Sequence, residues 1–272
     1  MLTFPNAKIN IGLNIVEKRP DGFHNIESVF YPVNWCDALE IVPAQQFQFQ
    51  SSGLPIPGDE SNNLCIKAYH LLRNSHPKMA NKAAHFHLHK VIPMGAGLGG
   101  GSSDGAFALK ILNQIFDLGL STVDLQNYAR QLGSDCAFFI ENRPVFCFNK
   151  GDEFEEFSLN LKGKYIVLIN PAIHISTAEA YGGVKPKKAE VSLKEALKLP
   201  LNKWDGLVKN DFEENLLWKY PTIADIKKIL YKQGALYASM TGSGSTLYGI
   251  FEAEKDINTQ FPDFALWQGY LN

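Results

Sequence analysis

Long apolar runs are missing from this chain of 272 residues, and none approaches the roughly 18 to 20 positions that a membrane span needs. The opening Met1-Leu2-Thr3-Phe4-Pro5-Asn6-Ala7-Lys8 lacks the charged-then-apolar order of a signal peptide. A cytoplasmic protein with no membrane partner is therefore expected. Cysteine is scarce too. Cys36, Cys65, Cys136 and Cys147 show no Cys-x-x-Cys spacing, which argues against a zinc site and a disulfide framework and for reduced thiols. Nor does one sign of charge dominate, since 26 basic against 28 acidic residues leave a formal charge of -2. A nucleic-acid backbone would find no basic excess here, and no nucleic-acid partner is expected. Internal repeats are absent, and the Lys-rich Lys185-Pro186-Lys187-Lys188 reads as a solvated loop before a helix.

What is present is an ordinary globular composition, 45% hydrophobic and 20% charged, long enough for about two domains at roughly 150 residues each. Ile9, Ile11, Leu13 and Ile15 alternate with Asn10, Gly12 and Asn14, the period of a half-buried strand that puts Lys8 and Asn10 on one face. Pro20-Asp21-Gly22 has turn chemistry, and the residues from Ile26 to Val33 suggest a second strand folding back as a hairpin. His85, His87 and His89 alternate with Ala84, Phe86 and Leu88. A row of three imidazoles suits a metal, but no cysteine or carboxylate accompanies it locally, so a solvated strand face is the preferred reading and no metal site is assigned. A helix is predicted to follow the glycine cluster and to end near Gly119. A second helix starts at Ser121 with Asp124 completing a capping box and stops at Gly133. The charged segment Gly151 to Glu156 interrupts the apolar pattern, and the boundary between two domains is expected near Phe157, dividing the chain into 1–156 and 157–272.

The one compositional oddity is glycine: of 22, five fall between Gly95 and Gly101. Pro93-Met94-Gly95-Ala96-Gly97-Leu98-Gly99-Gly100-Gly101-Ser102-Ser103 strips away side chains where a helix begins, so backbone N–H groups can approach an anion, and phosphate suits that geometry. Ser102 and Ser103 can cap the helix, reach phosphate oxygens or reach a bound Mg2+, and the pattern does not separate these roles. A dinucleotide fold would place the loop after the first strand, with an acidic residue about 20 positions on; here nearly a hundred residues precede it. A Walker loop ends in Gly-Lys-Ser/Thr, and no lysine lies between Pro93 and Asp104.

The loop resembles the second motif of the GHMP family of small-molecule kinases, Pro-x-x-x-Gly-Leu-Gly-x-x-Ser-Ser. Pro5-Asn6-Ala7-Lys8-Ile9-Asn10 is similar to the first motif and Met240-Thr241-Gly242-Ser243-Gly244-Ser245 to the third. Lys18-Arg19-Pro20-Asp21-Gly22-Phe23-His24, Leu132-Gly133-Ser134-Asp135 and Asn210-Asp211-Phe212-Glu213 resemble the branch of that family that phosphorylates the 2-hydroxyl of diphosphocytidyl methylerythritol in the non-mevalonate isoprenoid pathway. Phe23 stands where that branch usually has tyrosine, and Ala137 where it often has proline. The stretch from Lys185 to Val208 matches no motif.

The resemblance implies an α+β, two-domain GHMP kinase fold, with an N-terminal ATP-binding domain like ribosomal protein S5 domain 2 and a ferredoxin-like C-terminal substrate domain. It implies ATP with Mg2+ as cosubstrate and the diphosphocytidyl alcohol as small-molecule partner. Lys8 and Asp135 are implied as the catalytic pair, the carboxylate taking the hydroxyl proton and the ammonium compensating charge on the migrating phosphoryl group. Pro93 to Ser103 are implied to bind ATP. Phe23 and His24 are implied to hold cytosine with Tyr181 as a second aromatic wall, Asn10 to hold the methylerythritol or its phosphate, and Gly242 to face the substrate. A monomer or weak homodimer is expected. Another small alcohol, such as homoserine or mevalonate, is the alternative acceptor, and the Asp21 to His24 block discriminates. A non-catalytic binding protein on the same fold, or an RNA-binding module, is disfavoured by the acidic charge and by Lys8 and Asp135 both being in place.

Overall fold

Strand alternation, capping and turn chemistry account for most of the elements that the computed structural model describes over residues 1–271. In chain order they are β1 (Leu2–Thr3), β2 (Asn6–Lys18), β3 (His24–Cys36), β4 (Ala38–Ala44), β5 (Gln48–Gly53), α1 (Leu64–Ser75), β6 (Ala83–Lys90), α2 (Gly100–Ile115), α3 (Thr122–Leu132) and α4 (Phe138–Glu141). There follow β7 (Val145–Phe148), β8 (Glu153–Glu156), β9 (Tyr165–Asn170), α5 (Thr177–Gly182), α6 (Leu193–Ala196), α7 (Glu213–Lys219), α8 (Pro221–Lys232), β10 (Tyr237–Met240), β11 (Leu247–Phe251) and β12 (Ala265–Tyr270). Two compact units divide them, and neither is one continuous stretch. The first gathers Met1–Lys8, Trp35–Met94 and Gly99–Arg143; the second gathers Ile9–Asn34, Gly95–Leu98 and the residues from Pro144 onward.

In the first unit a sheet of order β1-β4-β6-β5 buries Leu39, Ile41, Ala84, Phe86 and Leu88. The ring of Phe86 meets Tyr69 of α1 edge-on at 5.9 Å, and α1 packs on α2, where a Cβ at Gly105 would come 2.8 Å from Leu64 Cβ. Each large apolar side chain buried in this layer is worth about 1.5–3 kcal/mol against exposure. The opposite face of β6 carries His85, His87 and His89, and Ser52 Oγ lies 3.0 Å from both His87 Nε2 and His89 Nδ1. Helix α3 starts and stops as its signals require: Ser121 and Asp124 form the capping box, and Gly133 ends the helix.

The second unit holds two sheets, β2-β3-β7-β8 and β10-β11-β9-β12. In the latter, β11 and β12 flank β9 and β10 lies outermost beside β11, all pairs antiparallel, which is the ferredoxin-like order. Helix α8 buries Ile223, Ile226 and Leu230. A Cβ at Gly249 of β11 would lie 3.0 Å from Leu230 Cδ2, so the glycine lets the helix settle. Between β11 and β12 the described residues form only a 3-10 turn, Asn258–Gln260, in place of a second packed helix.

The charged run Gly151 to Glu156 includes β8, which pairs with β7, and an edge strand tolerates outward carboxylates. The compact units interleave along the sequence. Hairpin β2-β3 belongs to the same sheet as β7 and β8, a long-range pairing that no local shift in composition announces.

Candidate active site

In the first unit Lys8 and Asp135 stand together, with Nζ 3.4 Å from Oδ2. The lysine side chain is 4% exposed and the aspartate 31%, so the ammonium is held in the protein while the carboxylate reaches solvent. Asp135 caps no helix: α3 ends at Gly133 and the cap position of α4 is Ala137. Ala137 has φ -63, the angle a proline would impose, so the departure there leaves the backbone path unchanged. The lysine stem lies over Gly99, where a Cβ would sit 3.2 Å from Lys8 Cγ and Cε and 3.1 Å from Phe139 Cζ. Gly99 also has φ +69, so glycine is needed there twice over. Paired amides, Asn142 Nδ2 donating to Asn6 Oδ1 at 2.6 Å and Asn6 Nδ2 to Asn142 Oδ1 at 3.2 Å, tie the start of β2 to the end of α4.

Helix α2 begins directly after Gly99, and no side chain among the described residues caps it. Over its 16 residues the N-terminus presents unpaired N–H groups and the positive end of the helix dipole, a natural seat for phosphate. A Cβ at Gly101 would meet nothing closer than Met94 Cε at 4.0 Å, so packing does not explain this glycine and the space beside it is open. Ser102 hydrogen-bonds the Cys136 thiol, which burial nonetheless pushes up to about 12. Ser103 Oγ is buried with no partner among the described residues, so neither serine caps the helix.

Beneath this loop lies a group of charges that sequence reasoning missed. Lys90 Nζ donates to Asp37 Oδ2 and, at 2.8 Å, to Asp104 Oδ2, with all three side chains buried. Burial, and then the neighbouring Asp37, push the Asp104 carboxyl up to about 7 against the pull of Lys90. Burial would lower the Lys90 ammonium, but the two carboxylates outweigh it and raise it.

In the second unit the three motifs meet around Thr241. Asn10 N–H donates to Thr241 Oγ1 at 2.9 Å, and Thr241 Oγ1 donates to the Gly97 carbonyl at 3.0 Å. A Cβ at Gly97 would collide with the Thr241 carbonyl, and one at Gly242 would lie 3.1 Å from Gly97 Cα and 3.5 Å from Asn10 Oδ1. Asn10 is 2% exposed and donates from Nδ2 to Ser28 Oγ at 2.9 Å, so its amide is already engaged in this network. The third motif is fixed from below. Asn210 Nδ2 donates to the carbonyls of Met240 and Gly242 at 2.8 and 2.9 Å, and Glu213 Oε1 accepts from Met240 N–H at 2.6 Å. The Asn210 to Glu213 block was visible in the sequence, but its part in holding a loop was not.

The hairpin tip is open. Phe23 is 58% exposed, with Lys150 Nζ 5.4 Å from its ring centroid. Tyr181 stacks on His24 at 4.5 Å and 19°, and Phe212 meets Tyr181 edge-on at 4.9 Å. Burial, and then Lys18, lower the His24 imidazole below its usual range, which favours the neutral ring.

Residues 63–143 match the GHMP kinases N terminal domain and residues 175–260 match GHMP kinases C terminal. The chain belongs to the GHMP kinase family, and its two-domain α+β fold is that of the family. A protein of Cytophaga hutchinsonii named 4-diphosphocytidyl-2-C-methyl-D-erythritol kinase is 51% identical over 94% of either chain, and one of Bacteroides thetaiotaomicron with the same name is 50% identical over 93%. A crystal structure of 4-(cytidine 5'-diphospho)-2C-methyl-D-erythritol kinase, 25% identical, superposes with a TM-score of 0.86 over 99% of this chain and 98% of its own.

Proposed function

We propose that this kinase transfers the γ-phosphoryl group of ATP to the 2-hydroxyl of 4-diphosphocytidyl-2-C-methyl-D-erythritol, releasing ADP. The observation that carries the reading is the Lys8–Asp135 pair at 3.4 Å in the unit that also holds the uncapped start of α2. The hydroxyl proton goes to the solvent-reaching Asp135 carboxylate as the new O–P bond forms and the bond from the γ-phosphorus to the bridging oxygen of ATP breaks. The buried Lys8 ammonium stands beside that carboxylate and offsets negative charge on the migrating group. Mg2+ enters as the MgATP complex and neutralises phosphate charge, a part of the substrate rather than a resident of the protein.

Pro93 to Ser103 supply backbone donors to the phosphates. Phe23 offers an exposed ring to the cytosine, with His24 and Tyr181, already stacked, beside it; phenylalanine keeps the stacking face of the usual tyrosine. Asn10 and Gly242 hold the methylerythritol end. In sequence terms the ATP-binding part is 1–156 and the substrate part 157–272, and the chain works in the cytoplasm as a monomer or weak homodimer. No helix among the described residues is long and apolar enough to cross a membrane.

Phosphorus NMR of the wild-type reaction should show a new 2-phosphate on the diphosphocytidyl alcohol and none on homoserine or mevalonate; the reverse pattern would replace the acceptor. Asp135→Asn should lower turnover by about 10²–10⁴ while ATP still binds, because a general base acts in the transition state. Near-normal turnover in that variant would remove Asp135 from the mechanism.

A further inference from the structure

Both ends of the glycine loop are fastened to one buried nitrogen. Where the chain leaves β6, Asp37 Oδ1 accepts from Val91 N–H at 2.6 Å and from Ile92 N–H at 2.9 Å, immediately before Pro93. The other oxygen of Asp37 accepts from Lys90 Nζ. Where the chain enters α2, Asp104 Oδ2 accepts from the same Nζ at 2.8 Å. Asp37 is held in turn, its N–H donating to the Pro5 carbonyl at 2.9 Å. The first turn of α2 also sits close on the ammonium, since a Cβ at Gly100 would lie 3.2 Å from Lys90 Nζ and 3.0 Å from Ile92 Cγ2.

We infer that Asp37, Lys90 and Asp104 are positioning residues for ATP: a clamp that fixes the separation and direction of the two ends of the loop, so that its N–H groups converge on the phosphates. The inference rests on the ATP reading of that loop given above. An apolar core of equal volume would hold β6 against α2 as well as the ions do, and buried ion groups are not in general the stabler choice. Apolar side chains would not orient Val91 N–H and Ile92 N–H, nor tie them to the helix start. The missing Cβ at Gly100 fits the same purpose, because it lets the helix end come down onto the clamp.

The test is titration of the full-length protein with MgATP in the absence of any alcohol, followed by steady-state kinetics. Lys90→Met and Asp104→Leu, confirmed folded by circular dichroism, should weaken ATP binding by about tenfold or more, the scale at which small misplacements of a site are felt. KM for ATP should rise with KM for the alcohol little changed. Asp104→Asn keeps an acceptor for Lys90 and should restore ATP affinity to near wild type, a rescue that mere packing would not give. Amide exchange across 93–103 should quicken in the two apolar variants while β9 to β12 stay as they were. Folded Lys90→Met or Asp104→Leu protein that binds ATP as wild type does would overturn the clamp. So would rapid exchange of Val91 and Ile92 amides in the unsubstituted protein, a measurement that needs no variant to fold. A wild-type protein that binds ATP in this pattern but leaves the diphosphocytidyl alcohol unphosphorylated would instead refute the proposed acceptor and leave the clamp standing.

Discussion

The two glycine loops of this kinase are supported by opposite chemistries. In the first unit the loop that runs into α2 is held at its ends by an ammonium between two carboxylates, all buried. In the second unit the loop after β10 hangs from a neutral amide, Asn210, and from Glu213, whose partner Lys227 at 2.6 Å is 22% exposed. Asn210 is placed by backbone: Leu13 N–H donates to the Lys209 carbonyl at 2.7 Å and Asp211 N–H to that of Leu13 at 2.8 Å. A neutral amide satisfies two carbonyls without bringing charge into the interior, whereas the ionic support stands or falls with charge balance. Sensitivity to pH and to loss of a single charge should therefore concentrate in the first unit.

Removing the central charge is the hardest blow to that contrast. Lys90→Met leaves the buried acids Asp37 and Asp104 without their cation and is expected to destabilise by about 3–5 kcal/mol, read from urea unfolding. A loss below about 1 kcal/mol would mean that the charges are not acting as a unit. Asn210→Ala strands the carbonyls of Met240 and Gly242, and about 1–3 kcal/mol is expected, with no greater effect at pH 8 than at pH 6.

Asp104→Asn should show a smaller effect, and one that depends on pH. The folded-state pKa of Asp104, about 7, is raised above the ordinary 3.8, so the folded state favours the protonated acid. Its contribution to stability is complete below pH 3.8 and is lost as pH rises through 7. Relative to wild type, the asparagine variant should gain stability between pH 5 and pH 8. Melting curves at the two pH values that stay parallel would contradict this. Lys227→Met should cost least, about 0–1 kcal/mol, because water can take the place of the partly exposed ammonium.

Local signals served well where the structure is local. The Ser121–Asp124 box and Gly133 bounded α3, and the alternation of β2 put Lys8 and Asn10 on one face. Lys90 and Asp104 were legible too, had phase been read as strictly for charges as for apolar residues. Lys90 continues the buried row Ala84, Phe86, Leu88 of β6, and Asp104 lies in register with the buried Ala108, Ile111 and Leu112 of α2. A charge on an apolar face calls for a partner, and here the two faces name each other. Asp37 carried no such mark, since its value lies in two N–H groups more than fifty residues away. The stacking of His24 on Tyr181 and the union of β2-β3 with β7-β8 rest on contacts between distant segments, which periodicity does not report.

The stem of Lys8 filling the space above Gly99 bears on how this loop can drift over generations. Gly101 has open space beside it, so a side chain there would meet no packing clash. At Gly99 any side chain would meet a left-handed backbone and displace Lys8 and Phe139 together, moving the ammonium away from Asp135. No single compensating change elsewhere relieves both faults. Two glycines that look alike in the motif thus have very different evolutionary freedom: one has room beside it for a side chain, the other is held by the side chain lying across it.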